Sequence, residues 1–278
     1  MKNLNGKKLS EKILGNLKKE IKKSNLKLTL AVIQVGGDPI SKIFINQKEK
    51  ACKKIGTGFK LYKFDKNINP EQLKEKIRKI ALSPFNSGII VQLPLPKKFN
   101  IQDILNIIPP EKDIDCLSEK SQSQFYLGNS KILPPTLKGI INLLKEYKIR
   151  ILGKHFVVVG AGRLVGLPMA LWLLQQKATV SVLEKFTPDI SFFTKKADVL
   201  ISGVGKPGLI SGKMVKNGVV VIDAGISLKD GKIKGDIDFE SVSKKASYIT
   251  PVPGGVGPMT VACLLENLVK LKTLYEKS

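Results

Sequence analysis

The stretch FVVVGAGRLVGLP at residues 156–168 joins an apolar strand, a glycine-rich turn and the start of an apolar helix. Its glycines, Gly160, Gly162 and Gly166, have the spacing G-x-G-x-x-x-G, one residue longer than the common dinucleotide fingerprint. Glycine lets the backbone approach a pyrophosphate closely, and the helix that follows presents unpaired N–H groups to it. In this strand–turn–helix context, the stretch predicts the dinucleotide site of a Rossmann-like domain.

Two further turns follow predicted strands of the same domain, where ligands bind in open α/β sheets. One turn is Gly203–Gly208, after a strand that ends at Ser202, and the other is Asp223–Ile226. The residues that we expect to bind the cofactor are Gly160, Ala161, Gly162, Arg163, Val165, Gly166, Glu184, Lys185, Gly203, Val204, Gly205, Ile226 and Thr260.

The choice between NAD and NADP depends on the end of the strand that follows the glycine turn. Glu184 lies there, and an acid at this place accepts hydrogen bonds from a ribose hydroxyl, which favours NAD. Lys185 and Arg163 favour a 2′-phosphate instead. The basic surroundings lead us to expect NADP, and NAD remains possible.

Apolar strands alternate with helices along the chain, which predicts an α/β protein with parallel sheets covered on both faces. Residues 111–135 are polar and lack periodicity, and this break predicts two domains with a cleft between them. We expect an N-terminal α/β domain at 1–136, joined by the C-terminal helix 260–278, and a Rossmann-like domain at 137–259. Predicted helices are 9–21, 39–55, 70–82, 101–108, 137–147 with Thr136 as its cap, and 259–275; predicted strands are 28–35, 59–64, 88–93, 156–159, 179–183, 199–202 and 219–222.

The charge of the chain is strongly positive, with a formal net charge of +24. The 47 basic residues include only three arginines, Arg78, Arg150 and Arg163. Nucleic-acid readers use arginine for bidentate contacts to phosphate and guanine, so we do not expect a nucleic-acid partner. Residues 1–60 hold 15 lysines against 4 acids, and such a positive face would attract a small polyanionic substrate.

Cysteine and histidine usage restricts both the compartment and the chemistry. Cys52, Cys116 and Cys263 are widely spaced, imply no disulfide framework and fit a reducing compartment. No secretory segment follows Met1, and prolines break the longest uncharged stretch, so we expect a cytoplasmic protein without a membrane helix. With His155 as the single histidine, we expect no metal site.

The first half of the chain offers a lysine suited to proton transfer. Ser41, Phe44 and Lys48 share one face of a predicted helix, and desolvation on that face lowers the pKa of a lysine. Gln92 ends a buried strand, where its amide needs a partner, and Asp115 enters the irregular segment. Lys48, Gln92 and Asp115 are therefore the candidate catalytic residues.

The segment TPVPGGVGPMT at residues 250–260 combines three prolines with three glycines. Proline fixes the backbone, and glycine lets it approach another group closely. The segment predicts a rigid loop that lines a cleft. The candidate substrate-binding residues are Ser41, Phe44, Pro253, Gly254 and Gly255.

These motifs together resemble the methylenetetrahydrofolate dehydrogenase/cyclohydrolase family along essentially the whole chain. The resemblance implies hydride transfer from methylenetetrahydrofolate to NAD(P), then hydrolysis of the methenyl product to formyltetrahydrofolate, by a homodimer. It also implies that Lys48 assists hydrolysis by proton transfer, that Gln92 holds Lys48 and helps to lower its pKa, and that Asp115 binds the pterin ring. The carriers are Ser41, Phe44, Lys48, and residues 91–96, 112–115, 160–168, 203–208 and 251–260.

Two alternatives stay open from the sequence. The family usually has Tyr where this chain has Phe44, and the missing hydroxyl raises the hypothesis of a dehydrogenase with weak or lost cyclohydrolase activity. The chain also has Cys116 where Gly is usual, and Gly162 where Ser is usual. The second alternative, raised by the charge, is a non-catalytic basic binding protein that keeps the fold.

Overall fold

The structure, a computed structural model, describes residues 1–275, which divide into two units. We call the first the three-strand unit; it comprises Glu11–Pro135 and the chain from Val261 onward. The second, the six-strand unit, comprises Met1–Ser10 and Thr136–Thr260. No helix within the described residues is long and apolar enough to cross a membrane.

Helices and parallel strands alternate along the chain, as the sequence predicts. In chain order the helices are α1 (Gly6–Lys23), α2 (Pro39–Ile55), α3 (Pro70–Leu82), α4 (Ile101–Leu105), α5 (Glu119–Tyr126), α6 (Pro135–Glu146), α7 (Gly166–Gln175), α8 (Ile190–Thr194), α9 (Phe239–Ser243) and α10 (Val256–Tyr275). The strands are β1 (Lys2–Asn3), β2 (Thr29–Val35), β3 (Gly58–Phe64), β4 (Gly88–Val91), β5 (His155–Val159), β6 (Thr179–Leu183), β7 (Val199–Ser202), β8 (Val220–Asp223), β9 (Ser227–Lys229), β10 (Lys232–Lys234) and β11 (Tyr248–Ile249).

The three-strand unit is built around a parallel sheet with the order β3-β2-β4. Leu30 and Val32 of β2 belong to one apolar cluster, while Ala31 and Ile33 belong to a second. Successive side chains of a strand point to opposite faces, so this run of apolar residues buries both faces of the sheet. The sheet thereby places the ends of β2 and β4 side by side.

The six-strand unit contains an all-parallel sheet with the order β1-β11-β8-β7-β5-β6. The central strands β5, β7 and β8 are buried, as expected for a parallel sheet covered by helices. The strand order places the turns after β5, β7 and β8 along one edge. The short antiparallel hairpin β9–β10 lies outside this sheet.

The first domain was expected to begin at residue 1, whereas residues 1–10 cluster with the six-strand unit. Strand β1 pairs in parallel with β11, with Lys2 opposite Tyr248 and Asn3 opposite Ile249. A strand of two residues has no periodicity that a sequence could display. Only its partner at the far end of the chain identifies it.

Several predicted elements also differ from the structure, and three of the differences concern helices α5, α6 and α10. Helix α5 lies inside the segment predicted to be irregular, and Ser118 caps it by accepting a hydrogen bond from Ser121 N. Helix α6 begins at Pro135, so Thr136 lies in its first turn and is not its cap; proline is favoured at the first helical position. Helix α10 begins at Val256, because its first turn tolerates Pro258.

Candidate active site

Helix α2 carries three of the predicted site residues on one face. Asp38 fixes its start, because a side-chain oxygen of Asp38 accepts a hydrogen bond from Ser41 N at 2.7 Å. Ser41 and Lys48 are buried, and Phe44 is partly buried. Ser41 Oγ donates to Leu93 O at 3.2 Å, which connects α2 to the segment that follows β4.

Lys48 and Gln92 meet in the structure. Lys48 Nζ donates a hydrogen bond to Gln92 Oε1 at 2.7 Å, and Gln92 Nε2 donates to Leu93 O at 3.0 Å. Both atoms of the Gln92 amide therefore find the partners that its position requires. The amide holds the lysine beside the end of β4.

Burial lowers the pKa of Lys48 below its ordinary value, while electrostatic interactions with Asp115 and Cys52 act in the opposite direction. The oxygen of Gln92 accepts a hydrogen bond from the ammonium, an arrangement that favours the charged form. The expectation that Gln92 lowers the pKa is therefore corrected: burial lowers it, and Gln92 positions the lysine.

Asp115 lies close enough to Lys48 for their charges to interact. Burial raises the pKa of the Asp115 carboxyl to about 6, against the lowering effect of Lys48. Burial thus disfavours the charged form of both the lysine and the aspartate, as is common for side chains that take part in proton transfer. The three predicted catalytic residues thus form one cluster in the three-strand unit.

Asp113, which the sequence analysis did not select, shapes the turn that carries Asp115. Its buried carboxylate accepts hydrogen bonds from Leu117 N at 3.3 Å, from Ser118 N at 2.9 Å and from Ser118 Oγ at 2.7 Å. In the same turn the backbone of Cys116 has φ 57°, a left-handed conformation that glycine adopts most easily. The signal in the sequence was the position of this acid at the start of a polar, aperiodic segment.

Asn267 of α10 supports the same turn from the other side. It is fully buried, and its Nδ2 donates to Ile114 O at 3.0 Å and to Leu133 O at 2.8 Å. Buried amides of this kind fix loop backbone, because an unpaired buried carbonyl is costly. The sequence analysis missed Asn267, since it lies more than a hundred residues from the turn it holds.

The predicted dinucleotide turn between β5 and α7 depends on glycine at defined positions. Gly160 has φ 88°, and a Cβ at Gly166 would lie 1.7 Å from Gly160 O. A Cβ at Gly203 would lie 2.9 Å from Val165 Cγ1. At Gly162, by contrast, a Cβ would meet no atom within 4 Å. The glycines leave the backbone without side chains where a pyrophosphate would approach the start of α7, so the turn fits a dinucleotide.

The neighbouring turns meet at the same edge of the sheet. Gly205 has φ 79°, and a Cβ there would lie 3.2 Å from Ile226 O, so the turns after β7 and β8 are adjacent. Val204 is exposed between them. The structure therefore brings together the glycine turn, Gly203–Gly205 and Ile226, as predicted for ligand binding at the carboxyl ends of strands.

Two buried aspartates that the sequence analysis did not select hold these turns. Asp236 accepts hydrogen bonds from Ser202 Oγ, Val204 N and Lys206 N, each at 2.7 Å. Asp223 accepts from Asp236 N at 3.1 Å, and burial raises the pKa of its carboxyl to about 6. The DAG motif at 223–225 was the available signal for Asp223.

Glu184, placed directly after β6, contacts the glycine turn. One of its carboxylate oxygens accepts a hydrogen bond from Ala161 N at 2.6 Å. Lys185 is exposed, and its Nζ lies 4.7 Å from the centroid of the Phe186 ring. Arg163 is exposed in the turn itself. Acidic and basic candidates for ribose recognition therefore lie at the same end of β6.

The loop before α10 is closely packed against the start of α1. Gly254 has φ 110°, and its carbonyl oxygen accepts a hydrogen bond from Lys7 N at 2.8 Å. A Cβ at Gly6 would lie 1.9 Å from Gly255 O. Pro253 is exposed, while Thr260 Oγ1 lies 3.1 Å from Thr136 Oγ1. These glycines are thus required for packing within the six-strand unit.

Within residues 1–275, no group of three or more His, Cys, Asp and Glu side chains could hold a metal ion. The three cysteines are buried free thiols. The described side chains of the three-strand unit offer proton transfer by Lys48 and Asp115, and the six-strand unit offers a backbone site for a dinucleotide.

Comparison with known proteins agrees with this geometry. The model of the "Tetrahydrofolate dehydrogenase/cyclohydrolase, catalytic domain" matches residues 4–115, and that of the "NAD(P)-binding domain" of the same family matches residues 134–275. The bifunctional protein FolD of Nautilia profundicola is 46% identical over 278 residues, which cover 99% of this chain and 98% of that protein.

Solved structures show the same similarity. The bifunctional enzyme FolD of Campylobacter jejuni has a TM-score of 0.94 and 44% identity, with 99% of each chain covered. The enzyme of Trypanosoma brucei, solved with NADP and an inhibitor, has a TM-score of 0.93 and 32% identity over 99% of this chain and 98% of that one. The chain therefore belongs to the tetrahydrofolate dehydrogenase/cyclohydrolase family.

Proposed function

We propose that the chain oxidises methylenetetrahydrofolate to methenyltetrahydrofolate with NAD(P), and then hydrolyses the methenyl product to formyltetrahydrofolate. Family membership along both halves of the chain supports the two activities. The observation that carries the hydrolytic step is the 2.7 Å hydrogen bond between Lys48 Nζ and Gln92 Oε1. It holds a buried lysine beside a second titratable group, as proton transfer requires.

In hydrolysis, Lys48 in its neutral form accepts a proton from the water that attacks the methenyl carbon. Burial supports this role, because it lowers the pKa of Lys48 and so populates the neutral amine at a lower pH. Gln92 positions the amine. Asp115, largely ionised above its pKa of about 6, accepts hydrogen bonds from N–H groups of the pterin ring and orients it.

Phe44 does not remove the support of the lysine. A tyrosine hydroxyl is missing at this position, but Gln92 Oε1 supplies a hydrogen-bond acceptor for Lys48. We therefore propose that hydrolysis persists with Phe44 as a wall of the substrate site. Ser41, Pro253, Gly254 and Gly255 complete the proposed substrate-binding set.

Bound NAD(P) supplies the acceptor for the hydride, and the protein binds and orients it. Backbone N–H groups of the glycine turns suit its phosphates, because they lie beside the start of α7. The residues proposed to hold it are Gly160, Ala161, Gly162, Arg163, Val165, Gly166, Glu184, Lys185, Gly203, Val204, Gly205, Ile226 and Thr260.

We further propose a cytoplasmic homodimer. Three free thiols, all buried, support a reducing compartment. The resemblance to the family supports the dimer. Sedimentation equilibrium of the purified protein measures its mass, and a monomer at micromolar concentration would contradict the dimer.

The test follows dinucleotide reduction and methenyltetrahydrofolate in one reaction that starts from methylenetetrahydrofolate. We expect reduction without accumulation of the methenyl compound. Lys48→Met should slow hydrolysis by roughly 10²- to 10⁴-fold, so that the methenyl compound accumulates while dinucleotide binding is unchanged. Lys50→Met, an exposed position on the same helix, is the matched control and should behave like the wild type.

Other outcomes separate the alternatives. Accumulation of the methenyl compound by the wild type would identify a dehydrogenase that lacks hydrolysis. No reduction with either NAD or NADP would reject the enzymatic proposal. If Lys48→Met hydrolyses the methenyl compound at the wild-type rate, the role of Lys48 is rejected and the rest of the proposal stands.

A further inference from the structure

We propose that Glu184 is a specificity-determining residue that disfavours the 2′-phosphate of NADP, so that this chain prefers NAD. The inference rests on the proposed dinucleotide site and adds to it the choice of cofactor. It departs from the expectation of NADP that the basic composition favours.

Pairing of these strands places Glu184 beside the glycine turn. Val159 at the end of β5 lies opposite Leu183 at the end of β6, and Gly160 N donates a hydrogen bond to Leu183 O at 2.7 Å. The next residue on each strand is therefore Gly160 and Glu184. In such sheets the adenosine ribose binds at the end of this second strand.

The side chain of Glu184 is tied to the turn. Its Oε1 accepts a hydrogen bond from Ala161 N at 2.6 Å, the short distance typical of a charge-assisted bond. The carboxylate thus lies next to the backbone that approaches the pyrophosphate. A ribose attached to that pyrophosphate presents its hydroxyls within reach of the same acid.

The backbone of Glu184 is also fixed. Glu184 N donates to Thr187 Oγ1 at 3.0 Å, and Thr187 N donates to Glu184 O at 2.9 Å. These two bonds close a turn with Lys185 and Phe186 at its exposed centre. The position of the carboxylate is therefore set by the protein before any ligand binds.

Two cations, Lys185 and Arg163, lie near the same end of these strands. The ammonium of Lys185 lies 4.7 Å from the centroid of the Phe186 ring, a contact that attracts it to the ring face. Arg163 lies exposed in the glycine turn and is the group that would favour a 2′-phosphate. The cofactor preference thus depends on Glu184 against Arg163 and Lys185, and the carboxylate of Glu184 accepts a hydrogen bond from the glycine turn itself.

The chemistry of the two ligands differs at one group. A 2′-hydroxyl donates a hydrogen bond to the carboxylate, whereas a 2′-phosphate has no proton to donate at neutral pH and repels it. Coulomb repulsion at about 4 Å, between the limits for water and for a protein surface, corresponds to roughly 10- to 100-fold in affinity or more.

The test measures binding without catalysis. Isothermal titration calorimetry compares ADP-ribose with 2′-phospho-ADP-ribose, which both lack the nicotinamide ring. We expect the wild type to bind ADP-ribose at least about tenfold more tightly. Glu184→Gln keeps an oxygen for Ala161 N but removes the charge, and it should bring the two affinities within about threefold. The kcat/KM values for NAD and NADP should shift in the same direction.

Two further variants make the result specific. Glu146→Gln removes one exposed acid from α6 and should leave the preference unchanged, which controls for the net charge of the chain. Glu184→Asp keeps the charge and should keep a preference for ADP-ribose. If Glu184→Gln does not fold, the wild type and Glu184→Asp still decide the question.

The opposite results overturn the inference. Tighter binding of 2′-phospho-ADP-ribose by the wild type, lost in Arg163→Gln, would assign the site to NADP. Binding of neither fragment would reject the dinucleotide site itself. Because these measurements need no folate, a failure of the proposed folate reactions with normal ADP-ribose binding would leave the role of Glu184 intact.

Discussion

Lys48 owes its proposed chemistry to the residues around it and not to its identity. The chain is rich in lysine, and most of its lysines are exposed. Lys48 differs because α2 buries it, Gln92 holds it and Asp115 lies near it. The spacing of Ser41, Phe44 and Lys48 was visible in the sequence, so the cluster could be predicted once the helix was assigned.

A charge placed at Gln92 should move the pH dependence of hydrolysis. In Gln92→Glu a carboxylate replaces the amide at 2.7 Å from Lys48 Nζ, which stabilises the ammonium and raises its pKa. Hydrolysis requires the neutral amine, so its rising limb should move to higher pH by about 1–3 units. The measurement is the pH profile of methenyl hydrolysis.

An exposed glutamine provides the control for this variant. Gln72→Glu adds the same charge on α3 of the same unit and should leave the profile unchanged. A Gln92→Glu profile that coincides with the wild-type profile would show that Lys48 does not titrate in this step.

Asp115 should reduce stability near neutral pH. Its pKa in the folded protein is about 6, above the ordinary value of 3.8, so folding favours its protonated form. The contribution of Asp115 to stability therefore falls as the pH rises from about 4 to about 6. Asp115→Asn removes this cost and should raise the free energy of unfolding by about 1–3 kcal/mol at pH 7.5.

Denaturant unfolding of both proteins at two pH values checks this prediction. At pH 3, below both the ordinary and the folded pKa, the aspartate is largely protonated in both states, so the difference between wild type and Asp115→Asn should nearly vanish. If the free energies of unfolding of the two proteins differ by the same amount at both pH values, the change results from packing and not from ionisation. The variant should also lose folate affinity, which is the expected exchange of stability for function.

The contacts that the loop-shaping acids make could not be predicted from the sequence. Asp113, Asp223 and Asp236 act through backbone N–H groups of turns, and those contacts exist only after the strands are assembled. In a sequence, an acidic residue that faces solvent looks the same as one whose carboxylate accepts hydrogen bonds from a turn.

At the scale of elements, the glycine turn between β5 and α7 makes different demands on its glycines. A Cβ at Gly166 would lie 1.7 Å from Gly160 O, whereas one at Gly162 would meet no atom within 4 Å. Gly166→Ala should therefore weaken ADP-ribose binding by more than about 100-fold or prevent folding, because the turn must open. Gly162→Ala should bind within about threefold of the wild type.

Calorimetry with ADP-ribose checks both variants, with circular dichroism to report folding. Equal losses in the two variants would show that the bare backbone at Gly162 is also needed. Normal binding by Gly166→Ala would show that the turn rearranges without cost.

Elements with a strong apolar pattern were predicted from the sequence, and α5 and β1, which lack such a pattern, were not. Strands β2, β5 and β7 are mostly apolar, so both their type and their position followed from the sequence. Helix α5 was missed because its eight residues are mostly polar and show little helical periodicity of apolar residues. Its start is marked by the cap at Ser118. Strand β1 was missed because its partner is remote in sequence.

At the scale of the whole molecule, the charge of +24 should act on the encounter with substrate. Folate that carries a chain of three glutamates has more negative charge than the monoglutamate, so the positive field attracts it more strongly. Raising the ionic strength from about 0.02 M to about 0.3 M should therefore raise KM more for the triglutamate, because screening shortens the range of the field. The measurement is KM against salt for both substrates.

The monoglutamate is the internal control of that experiment. Identical salt dependence of the two substrates would show that the excess charge has no part in recognition. Two units and an α/β class followed from composition and alternation, but the place of residues 1–10 required the three-dimensional structure.

The pairing of β1 with β11 also determines the order in which the protein becomes complete during synthesis. Lys2 and Asn3 leave the ribosome long before their partners Tyr248 and Ile249 are added. The edge of β11 that receives β1 does not exist until then, and the three-strand unit likewise lacks α10 residues from Val261 onward. Nascent chains that stall before residue 248 therefore expose an incomplete sheet in the six-strand unit and a three-strand unit without its part of α10, and they are the species that chaperones and proteases will encounter.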